Sequence, residues 1–251
     1  MNIVNCSGGK DSVAMLLMML EKGIRVDRIL YADVGEMAEF EEMYSYIACL
    51  ETYIGRSIET VRSNRWTARS MFYGYPSRGN HMGEIRGFPP TVGVGCRYRS
   101  WLKVEPLELA SGPGHDVFIG IAADEAQRSR AGEYAKGKQN YHFPLVDWGV
   151  TEQGCLDYTR QKGLYNRLYD YFKRLGCWWC PKQSIGSLRQ LYLHFPEKWE
   201  TLRQLETDQG RPFKYGYPAE QLEQRFRAEQ CQKSHDECLG CEAGQLVLAG
   251  F

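Results

Sequence analysis

The strongest chemical signal in the chain is a run of six residues near its start: Ser7, Gly8, Gly9, Lys10, Asp11 and Ser12. Adjacent glycines let the backbone approach an anion closely, and Lys10 adds a full positive charge beside two serine hydroxyl donors. If a helix begins here, its first N–H groups carry partial positive charge and point at the anion. The run therefore predicts a phosphate-binding loop, in which Asp11 orients the helix start or a metal ion. Its spacing is not that of the Walker loop, which needs a glycine, four residues and then Gly-Lys-Ser/Thr.

The flanking sequence supplies the strand and the helix that such a loop needs. Residues 2–6 read as a buried strand, and residues 11–22 carry a dense apolar run that stops at Gly23, a typical helix C-terminal residue. Further strands are predicted at 28–32, 57–61 and 117–121, and further helices at 39–53 and 103–110. Alternating strands and helices predict an α/β fold, a Rossmann-like parallel sheet flanked by helices.

Two other loops should meet the six-residue run, because ligands of such sheets bind outside the carboxyl ends of the strands. Asp33 and Gly35 follow the second predicted strand, and Gly120, Arg128 and Arg130 follow the last one. The Gly- and Pro-rich stretch 73–95 is predicted to be a long functional loop over the same edge.

The character of the chain changes after residue 146. Helices are predicted at 156–162, 165–173, 187–194, 197–207 and 219–234, without a clean linker before them. We therefore predict two regions. Residues 1–146 form a nucleotide-binding α/β domain, and residues 147–251 form a helical region that contains two Cys-x-x-Cys pairs.

Composition favours a soluble globular protein with a full core, since 43% of the 251 residues are apolar. No apolar run approaches the ~20 residues of a membrane span, and the chain begins directly with a strand. We therefore expect neither a membrane partner nor a secretory signal. The nine cysteines, an odd number, favour thiol or metal chemistry over a disulfide framework. We expect a cytoplasmic location.

Charge is unevenly distributed, although the formal net charge is zero. Residues 33–51 hold six acidic residues and no Lys or Arg, whereas residues 62–103 hold eight basic residues and one acid, Glu84. Seven aromatic residues are interleaved with the basic stretch: Trp66, Phe72, Tyr73, Tyr75, Phe88, Tyr98 and Trp101. Basic and aromatic side chains together suit a phosphate-bearing partner with stackable bases. The alternative is a solvated surface whose arginines pair with the acidic segment.

The six-residue run resembles the PP-loop of the ATP pyrophosphatase superfamily, whose members split ATP between the α and β phosphates and hold the pyrophosphate. The resemblance implies that the run binds the pyrophosphate of ATP, with Lys10 neutralising it and Mg²⁺ bridging the phosphates. It also implies that Asp33 and Gly35 border the adenosine. Arg128 and Arg130 would grip phosphate bidentately.

A more specific resemblance extends from residue 1 to about residue 180. The segments that carry it are Asp33-Val34-Gly35, Gly95-Cys96, Lys103-Val104-Glu105-Pro106-Leu107, Gly120 to Arg130, Pro144 to Trp148, Asn166 to Asp170 and Gly176 to Cys180. In this order they resemble the phosphoadenosine phosphosulfate reductase family. Members that reduce sulfated nucleotides usually have a degraded phosphate loop. The intact loop therefore makes this chain look closer to the family's ATP-using, iron–sulfur sulfurtransferase branch.

The resemblance also implies roles for five cysteines. Cys96, Cys177 and Cys180 would ligate a [4Fe–4S] cluster, with Cys238 or Cys241 as the fourth ligand. The two Cys-x-x-Cys pairs could instead form a structural zinc site, or the thiols could stay reduced. Three further cysteines are predicted to be packed core thiols: Cys6, Cys49 and Cys155.

These inferences predict an enzyme that adenylates an acceptor with Lys10 and Asp11 as catalytic residues. Sulfur would then displace AMP, delivered through the cluster or a tail cysteine such as Cys238. The expected partners are a nucleic-acid or small-molecule acceptor and a sulfur donor. One alternative is a sulfonucleotide reductase with Cys238 as nucleophile and a thioredoxin-like reductant. Another is a non-catalytic nucleotide-binding subunit. A homodimer is compatible with each of these.

Overall fold

The computed structural model of the chain describes residues 1–77, 82–90, 95–130 and 139–232. The chain forms two compact units. The first comprises residues 1–74 and 93–178, and the second comprises residues 75–92 and the chain from 179 onward. The boundary predicted after residue 146 falls inside the first unit, because the helix Glu152–Gln161 packs on the helix Lys10–Glu21.

The first unit is built on a parallel sheet of five strands: β1 (Asn2–Asn5), β2 (Arg28–Ala32), β3 (Glu59–Val61), β4 (Asp116–Ile119) and β5 (Asn140–His142). Their order is β3-β2-β1-β4-β5, and Ile3 of β1 pairs with Arg28 on one side and Val117 on the other. The chain runs outward through β2 and β3 and then returns to the other side of β1. The carboxyl ends of β1 and β4 are therefore the topological switch point, where ligands bind in such sheets.

Helices flank this sheet, so the α/β fold predicted from the sequence is confirmed. They are α1 (Lys10–Glu21), α2 (Glu41–Ile54), α3 (Ala68–Phe72), α4 (Arg97–Arg99), α5 (Glu105–Ser111), α6 (Pro144–Asp147) and α7 (Glu152–Gln161). A π-helical stretch, Ser100–Val104, joins α4 to α5. Two 3₁₀ helices cover Ala123–Arg130 and Arg167–Asp170.

The helix predicted at 165–173 is wrong, because only the 3₁₀ helix Arg167–Asp170 forms there. The side chain of Asn166 accepts a hydrogen bond from the N–H of Leu168 at 3.0 Å. A side chain that bonds its own backbone two residues on favours a tight turn over a regular helix. The sequence does not predict β5, since three residues are too few to show an alternating pattern.

The core of the first unit lies between the sheet and α1. Ile3, Leu30 and Val117 stand side by side in the three central strands and are almost fully buried. Residues 13–17 of α1 are buried without interruption, as expected for a helix that is apolar on all sides. This burial fixes α1 firmly against the sheet, and with it the loop that precedes the helix.

The second unit contains α8 (Ile185–His194), α9 (Pro196–Gln209) and a last helix, α10, which covers residues 219–232. Tyr192, Trp199 and Phe226 form an aromatic cluster with ring centroids 5.5 to 5.9 Å apart. Described residues of the predicted loop 73–95 form no helix or strand, and Phe88 packs against Trp179. No helix among the residues described here has the length and apolar character needed to span a bilayer.

Candidate functional site

A pocket of about 200 Å³ lies where the loops after β1 and β4 meet. The structure brings five of the predicted loop residues to its wall together with Gly120 and Arg128. The lining residues are Ser7, Gly9, Lys10, Asp11, Ser12, Glu39, Met43, Lys103, Gly120, Glu125, Arg128, Glu152, Tyr169, Arg174, Leu175 and Gly176. We call this the loop pocket.

Gly8 gives the loop its shape. Its φ of +73° lies in the left-handed region, which favours glycine. A Cβ at this position would also lie 2.4 Å from Sδ of Met43 on α2. The backbone conformation thus favours glycine at position 8, and any other residue would also displace the side chain of Met43.

Gly120 lets the end of β4 approach the first turn of α1. A Cβ at position 120 would lie 2.6 Å from Cα of Ser12 and 2.7 Å from its amide nitrogen. The backbone at Gly120 therefore lies so close to the backbone at Ser12 that a side chain at position 120 would clash with it. The same Cβ would fill the space in front of a helix N–H that can bind an anion.

Two residues from the segment 166–170 hold the loop from another side. The hydroxyl of Tyr169 accepts a hydrogen bond from the N–H of Lys10 at 2.8 Å. The buried amide of Asn166 donates to the carbonyl oxygen of Gly8 at 3.4 Å. Burial raises the pKa of Tyr169 to about 12, so its hydroxyl keeps its proton. That proton has no acceptor among the described residues and can be donated to a ligand in the pocket.

The two serines stabilise the loop itself. Oγ of Ser12 accepts from the N–H of Ser7 at 3.1 Å and donates to the carbonyl oxygen of Gly9 at 3.0 Å. The N–H groups of Asp11 and Ser12 have no acceptor within the described residues. These two donors, at the positive end of α1, form the seat for an anion.

Lys10 sits between two carboxylates. Its Nζ lies 2.9 Å from Oε2 of Glu152 and 3.3 Å from Oδ2 of Asp11, and its side chain is only 10% exposed. Burial lowers the pKa of Lys10, but the hydrogen bond to Glu152 and the charge of Asp11 outweigh it, so the pKa is raised overall. Lys10 is therefore a permanent cation.

Asp11 has one oxygen without a strong partner. Burial raises the pKa of this carboxyl, although Lys10 opposes the shift. Oδ1 is buried and receives no hydrogen bond from a nitrogen or oxygen donor in the described residues. The thiol of Cys155 lies beside the carboxyl, and burial together with Asp11 raises the pKa of that thiol to about 12. Asp11 thus offers an unshared carboxylate oxygen at the pocket.

The remaining cations of the pocket also have acidic neighbours. Arg128 and Arg174 both pair with Glu125, the latter at 2.7 Å. Nζ of Lys103 lies 3.9 Å from Oε2 of the buried Glu39. Four basic side chains therefore face four carboxylates in the loop pocket. These ion pairs can open and leave the cations to an incoming polyanion.

Asp33 and Gly35 line a second pocket, of about 530 Å³, together with Tyr44, Arg62 and Trp66. The buried carboxylate of Asp33 accepts from the N–H of Gly35 at 2.8 Å, the hydroxyl of Tyr44 at 2.9 Å and Nε of Arg62 at 2.7 Å. Both carboxylate oxygens are thus engaged within the protein. Asp33 shapes the wall of this second pocket by holding Arg62 and Tyr44 in place.

The described cysteines do not form a metal site. Cys96, Cys177 and Cys180 are half-buried, and no three His, Cys, Asp or Glu side chains in the described part of the chain come together as a metal would require. Cys238 and Cys241 lie outside the described residues, as does the side chain of Arg130. The described residues alone therefore do not fit a cluster or zinc.

The three predicted core thiols differ in position. Cys6 and Cys155 are buried, whereas Cys49 is exposed on α2 and the prediction for it is wrong. Its position in the helix places it on the solvent face. Burial raises the pKa of Cys6 to about 11, so this thiol beside the loop stays protonated and unreactive.

Several pocket residues were not predicted as site residues: Glu39, Lys103, Glu152, Tyr169 and Arg174. Lys103 and Tyr169 stand in the segments that carried the family resemblance, so the sequence contained a signal for them. Glu152 begins α7 after the capping residue Thr151, whose hydroxyl accepts from the N–H of Gly154. An acidic residue is common in the first turn of a helix, so no feature of the sequence indicated that Glu152 belongs to the site.

Residues 1–183 match the protein family described as phosphoadenosine phosphosulfate reductase domain. An uncharacterized protein of Methanocaldococcus jannaschii is 29% identical over 211 residues, which are 79% of this chain and 40% of that protein. The chain thus spans well under two thirds of that relative's length. A crystal structure of phosphoadenylyl-sulfate (PAPS) reductase from Candida auris, in a phosphate complex, aligns with a TM-score of 0.47 at 14% identity, covering 70% of this chain and 81% of that one.

Gly120→Ala should damage the loop pocket, because the added Cβ would press on the backbone of Ser12. We expect a loss of about 1–3 kcal/mol in unfolding free energy, typical of overpacking. Pyrophosphate binding should weaken roughly tenfold or more, as expected for losing one charge-assisted hydrogen bond. Urea melts and calorimetric titration measure the two effects. Gly176 lines the same pocket, and a Cβ added to it would have no atom within 4 Å. The control variant Gly176→Ala should therefore behave as wild type.

Glu39→Gln should stabilise the protein at neutral pH. Burial raises the pKa of Glu39 against the opposing charge of Lys103. A carboxyl with a raised folded pKa favours folding below its unfolded pKa of about 4.3, and that contribution is lost as the pH rises through the folded value. The variant should gain on the order of 1 kcal/mol in unfolding free energy at pH 7.5, and the gain should shrink towards pH 4.5 in urea melts. The exposed Glu36→Gln is the control, and a less stable Glu39→Gln at pH 7.5 would contradict the interpretation.

Proposed function

Because this chain belongs to the phosphoadenosine phosphosulfate reductase family of the PP-loop superfamily, and is thus a nucleotide-using enzyme of that family, we propose that it splits ATP between the α and β phosphates and transfers the adenylyl group to an acceptor. The observation that carries the proposal is the anion seat at the start of α1. Two N–H groups that have no acceptor among the described residues, Lys10 and the proton of Tyr169 face one pocket, and Gly120 keeps the space in front of them open.

The charges of the loop pocket support a ligand that is both polyanionic and accompanied by a cation. Its four basic and four acidic side chains leave no net charge. A triphosphate can displace the carboxylates from Lys10, Arg128 and Arg174, but the freed carboxylates then need a positive partner. A divalent cation bound together with the nucleotide meets that need.

Asp11 is the residue that would hold Mg²⁺, with Glu152 beside it. Oδ1 of Asp11 is buried and without a nitrogen or oxygen donor in the described residues, and Mg²⁺ prefers carboxylate oxygens. When bound, Mg²⁺ would offset the charge that develops on the departing pyrophosphate. Glu152 becomes available as soon as Lys10 turns to the phosphates, since the two side chains are paired in the absence of ligand.

The residues of the loop pocket have separate tasks in the proposed reaction. An acceptor oxygen attacks the α-phosphorus and loses its proton, while the bond from the α-phosphorus to the oxygen that bridges to the β-phosphate breaks. The N–H groups of Asp11 and Ser12 and the ammonium of Lys10 receive the pyrophosphate. Arg128 and Arg174 can each offer a bidentate guanidinium to phosphate. Catalysis is then mainly positioning and charge stabilisation.

Sulfur transfer is the second half of the proposal, in which a sulfur nucleophile displaces AMP from the adenylated acceptor. The described cysteines do not assemble a metal site, so we assign no step to a cluster. Cys96, Cys177 and Cys180 remain proposed cluster or zinc ligands only together with the tail residues Cys238 and Cys241.

A sulfonucleotide reductase is the second candidate, and the family match favours it. Such an enzyme would bind a sulfated adenylate and release sulfite, using a tail cysteine such as Cys238 and a thioredoxin-like reductant. The complete anion seat argues for ATP, since a reductase releases no pyrophosphate. An assay for sulfite from sulfated adenylates in the presence of thioredoxin separates the two candidates.

Lys10→Ala should lower the rate of pyrophosphate release from ATP about 10²-fold or more, the usual effect of removing one donor to developing charge. The measurement is ATP-to-AMP conversion with nucleic-acid and small-molecule acceptors. Lys162→Ala is the matched control, since Lys162 pairs with Glu21 on α1 and does not line the pocket. Unchanged release by Lys10→Ala would disprove the assignment of the loop.

Cys177→Ser should abolish the brown chromophore of protein that is purified anaerobically, if the cysteines hold iron and sulfide. Metal and acid-labile sulfide analysis measures the loss, and Cys49→Ser, an exposed thiol on α2, should leave the chromophore intact. A colourless wild type with bound zinc would instead identify a zinc site.

A further inference from the structure

The first unit carries a second group of side chains that the proposed chemistry does not use. Trp66 and Trp101 stack with ring centroids 5.0 Å apart and planes 15° from parallel. The guanidinium carbon of Arg65 lies 5.1 Å from the ring centre of Trp66, and that of Arg97 lies 5.8 Å from the ring centre of Trp101. These four residues form one group of two stacked rings with a guanidinium over each ring, which we call the tryptophan stack.

Arginines at this surface differ from most others in the protein. Arg65, Arg69 and Arg97 are exposed, and each lies over an aromatic ring, Arg69 over that of Tyr73 at 5.1 Å. None of the three has a carboxylate partner in the described part of the chain. Elsewhere the arginines that pair with carboxylates are Arg25, Arg28, Arg62, Arg128, Arg160, Arg174, Arg189, Arg203, Arg211, Arg225 and Arg227. The charges of Arg65, Arg69 and Arg97 are therefore available to a ligand from solution.

The tryptophan stack lies next to the proposed nucleotide site. Trp66 and Arg69 line the second pocket. Trp101 is separated by one residue from Lys103, which lines the loop pocket, and both belong to the π-helical stretch Ser100–Val104. π-helical turns are rare in proteins, and those that do occur often lie at functional sites. The tryptophan stack therefore borders the second pocket and shares a helical stretch with one residue of the loop pocket.

Planar cations beside stacked aromatic rings suit a ligand with flat bases and regularly spaced phosphates. Unpaired bases stack on aromatic side chains and on guanidinium planes, and arginine binds phosphate. A duplex hides its base faces, so it cannot use the rings without being opened. A peptide would use neither the ring faces nor the uncompensated charge to the same extent.

We propose that the tryptophan stack binds single-stranded nucleic acid and that this strand is the acceptor of the adenylyl group. The second part rests on the proposed function. Its chemical step is the one already given: an oxygen of the strand forms a bond to the α-phosphorus, loses its proton, and pyrophosphate leaves. The binding part is independent of ATP.

Fluorescence anisotropy with labelled single-stranded DNA and RNA oligonucleotides, each about 12 nucleotides long to span one typical single-strand site, tests the binding part without ATP. Trp66→Ala and Trp101→Ala should each bind about tenfold to a hundredfold more weakly, the usual effect of losing one stacked base. Arg65→Ala and Arg97→Ala are surface changes that should not disturb folding. Each should reduce the slope of log affinity against log salt by roughly 0.7, the value for one single-strand phosphate contact.

Matched controls come from another part of the same unit. Trp148 carries Lys22 over its ring at 5.1 Å, and Arg25 pairs with Asp27. Trp148→Ala and Arg25→Ala should therefore bind the oligonucleotides as wild type does. No binding by the wild type would overturn the proposal, as would equal binding by the Trp66 and Trp148 variants or a preference for duplex.

Lys10→Ala separates this inference from the proposed function. It should retain wild-type oligonucleotide affinity while it loses pyrophosphate release. In the wild type, the oligonucleotide should raise pyrophosphate release, and the increase should be lost in Trp66→Ala. Release that is stimulated only by small molecules would overturn the role of the strand as acceptor. Absence of release with every acceptor would instead disprove the ATP-splitting function and leave the binding result to stand alone.

Discussion

The contact between the end of β4 and the first turn of α1 is the constraint on which the site depends. At Gly120 the two backbones approach so closely that no Cβ fits. The apolar surface of α1 holds the helix against the sheet from the other direction, and Gly8 takes the left-handed turn that connects strand to helix. The position of the anion seat is therefore set by backbone packing. Its donors are in place before any ligand arrives.

Charge in the loop pocket is organised as exchangeable pairs. Lys10, Lys103, Arg128 and Arg174 each lie beside a carboxylate, and Lys10 is buried. A buried cation without a partner is costly, so the pairs keep the empty pocket stable. The pairs also leave the loop pocket without net charge, since four basic side chains face four carboxylates. The proposed binding of a nucleotide together with a metal ion fits this neutrality, because the metal ion would compensate the carboxylates that the phosphates displace.

The sequence predicts the parts of this arrangement that are local. The strand, the glycine turn and the start of α1 are consecutive in the sequence, and the six residues 7–12 are enough to predict a phosphate-binding loop. The parallel sheet is predicted by the alternation of strands and helices. The same alternation predicts neither the three-residue strand β5 nor the 3₁₀ turn at Asn166. β5 is fixed by its pairing with β4 and not by local propensity. The turn at Asn166 depends on a single hydrogen bond between a side chain and the backbone, which no periodicity in the sequence reveals. The residues that support the site, such as Glu152 and Asp33, are harder still to predict, because their roles arise only from contacts with residues distant in the sequence. Glu152 has the sequence context of an ordinary acidic residue at a helix start, yet it holds Lys10. Asp33 is predicted to border the nucleoside, but only the structure reveals that its carboxylate also holds Arg62, Tyr44 and its own loop.

The hydrogen bonds between the loop and the side chains of Tyr169 and Asn166 join residues about 160 positions apart. Contacts of such high sequence separation form late, since the chain must close a long loop before they can contribute. During synthesis, β1 and α1 emerge first, but Lys10 must wait for residues 152–169 before its amide meets Tyr169 and its ammonium meets Glu152. The ability to bind a nucleotide is therefore acquired near the end of folding of the first unit, so occupancy of the site reports that this unit has been completed.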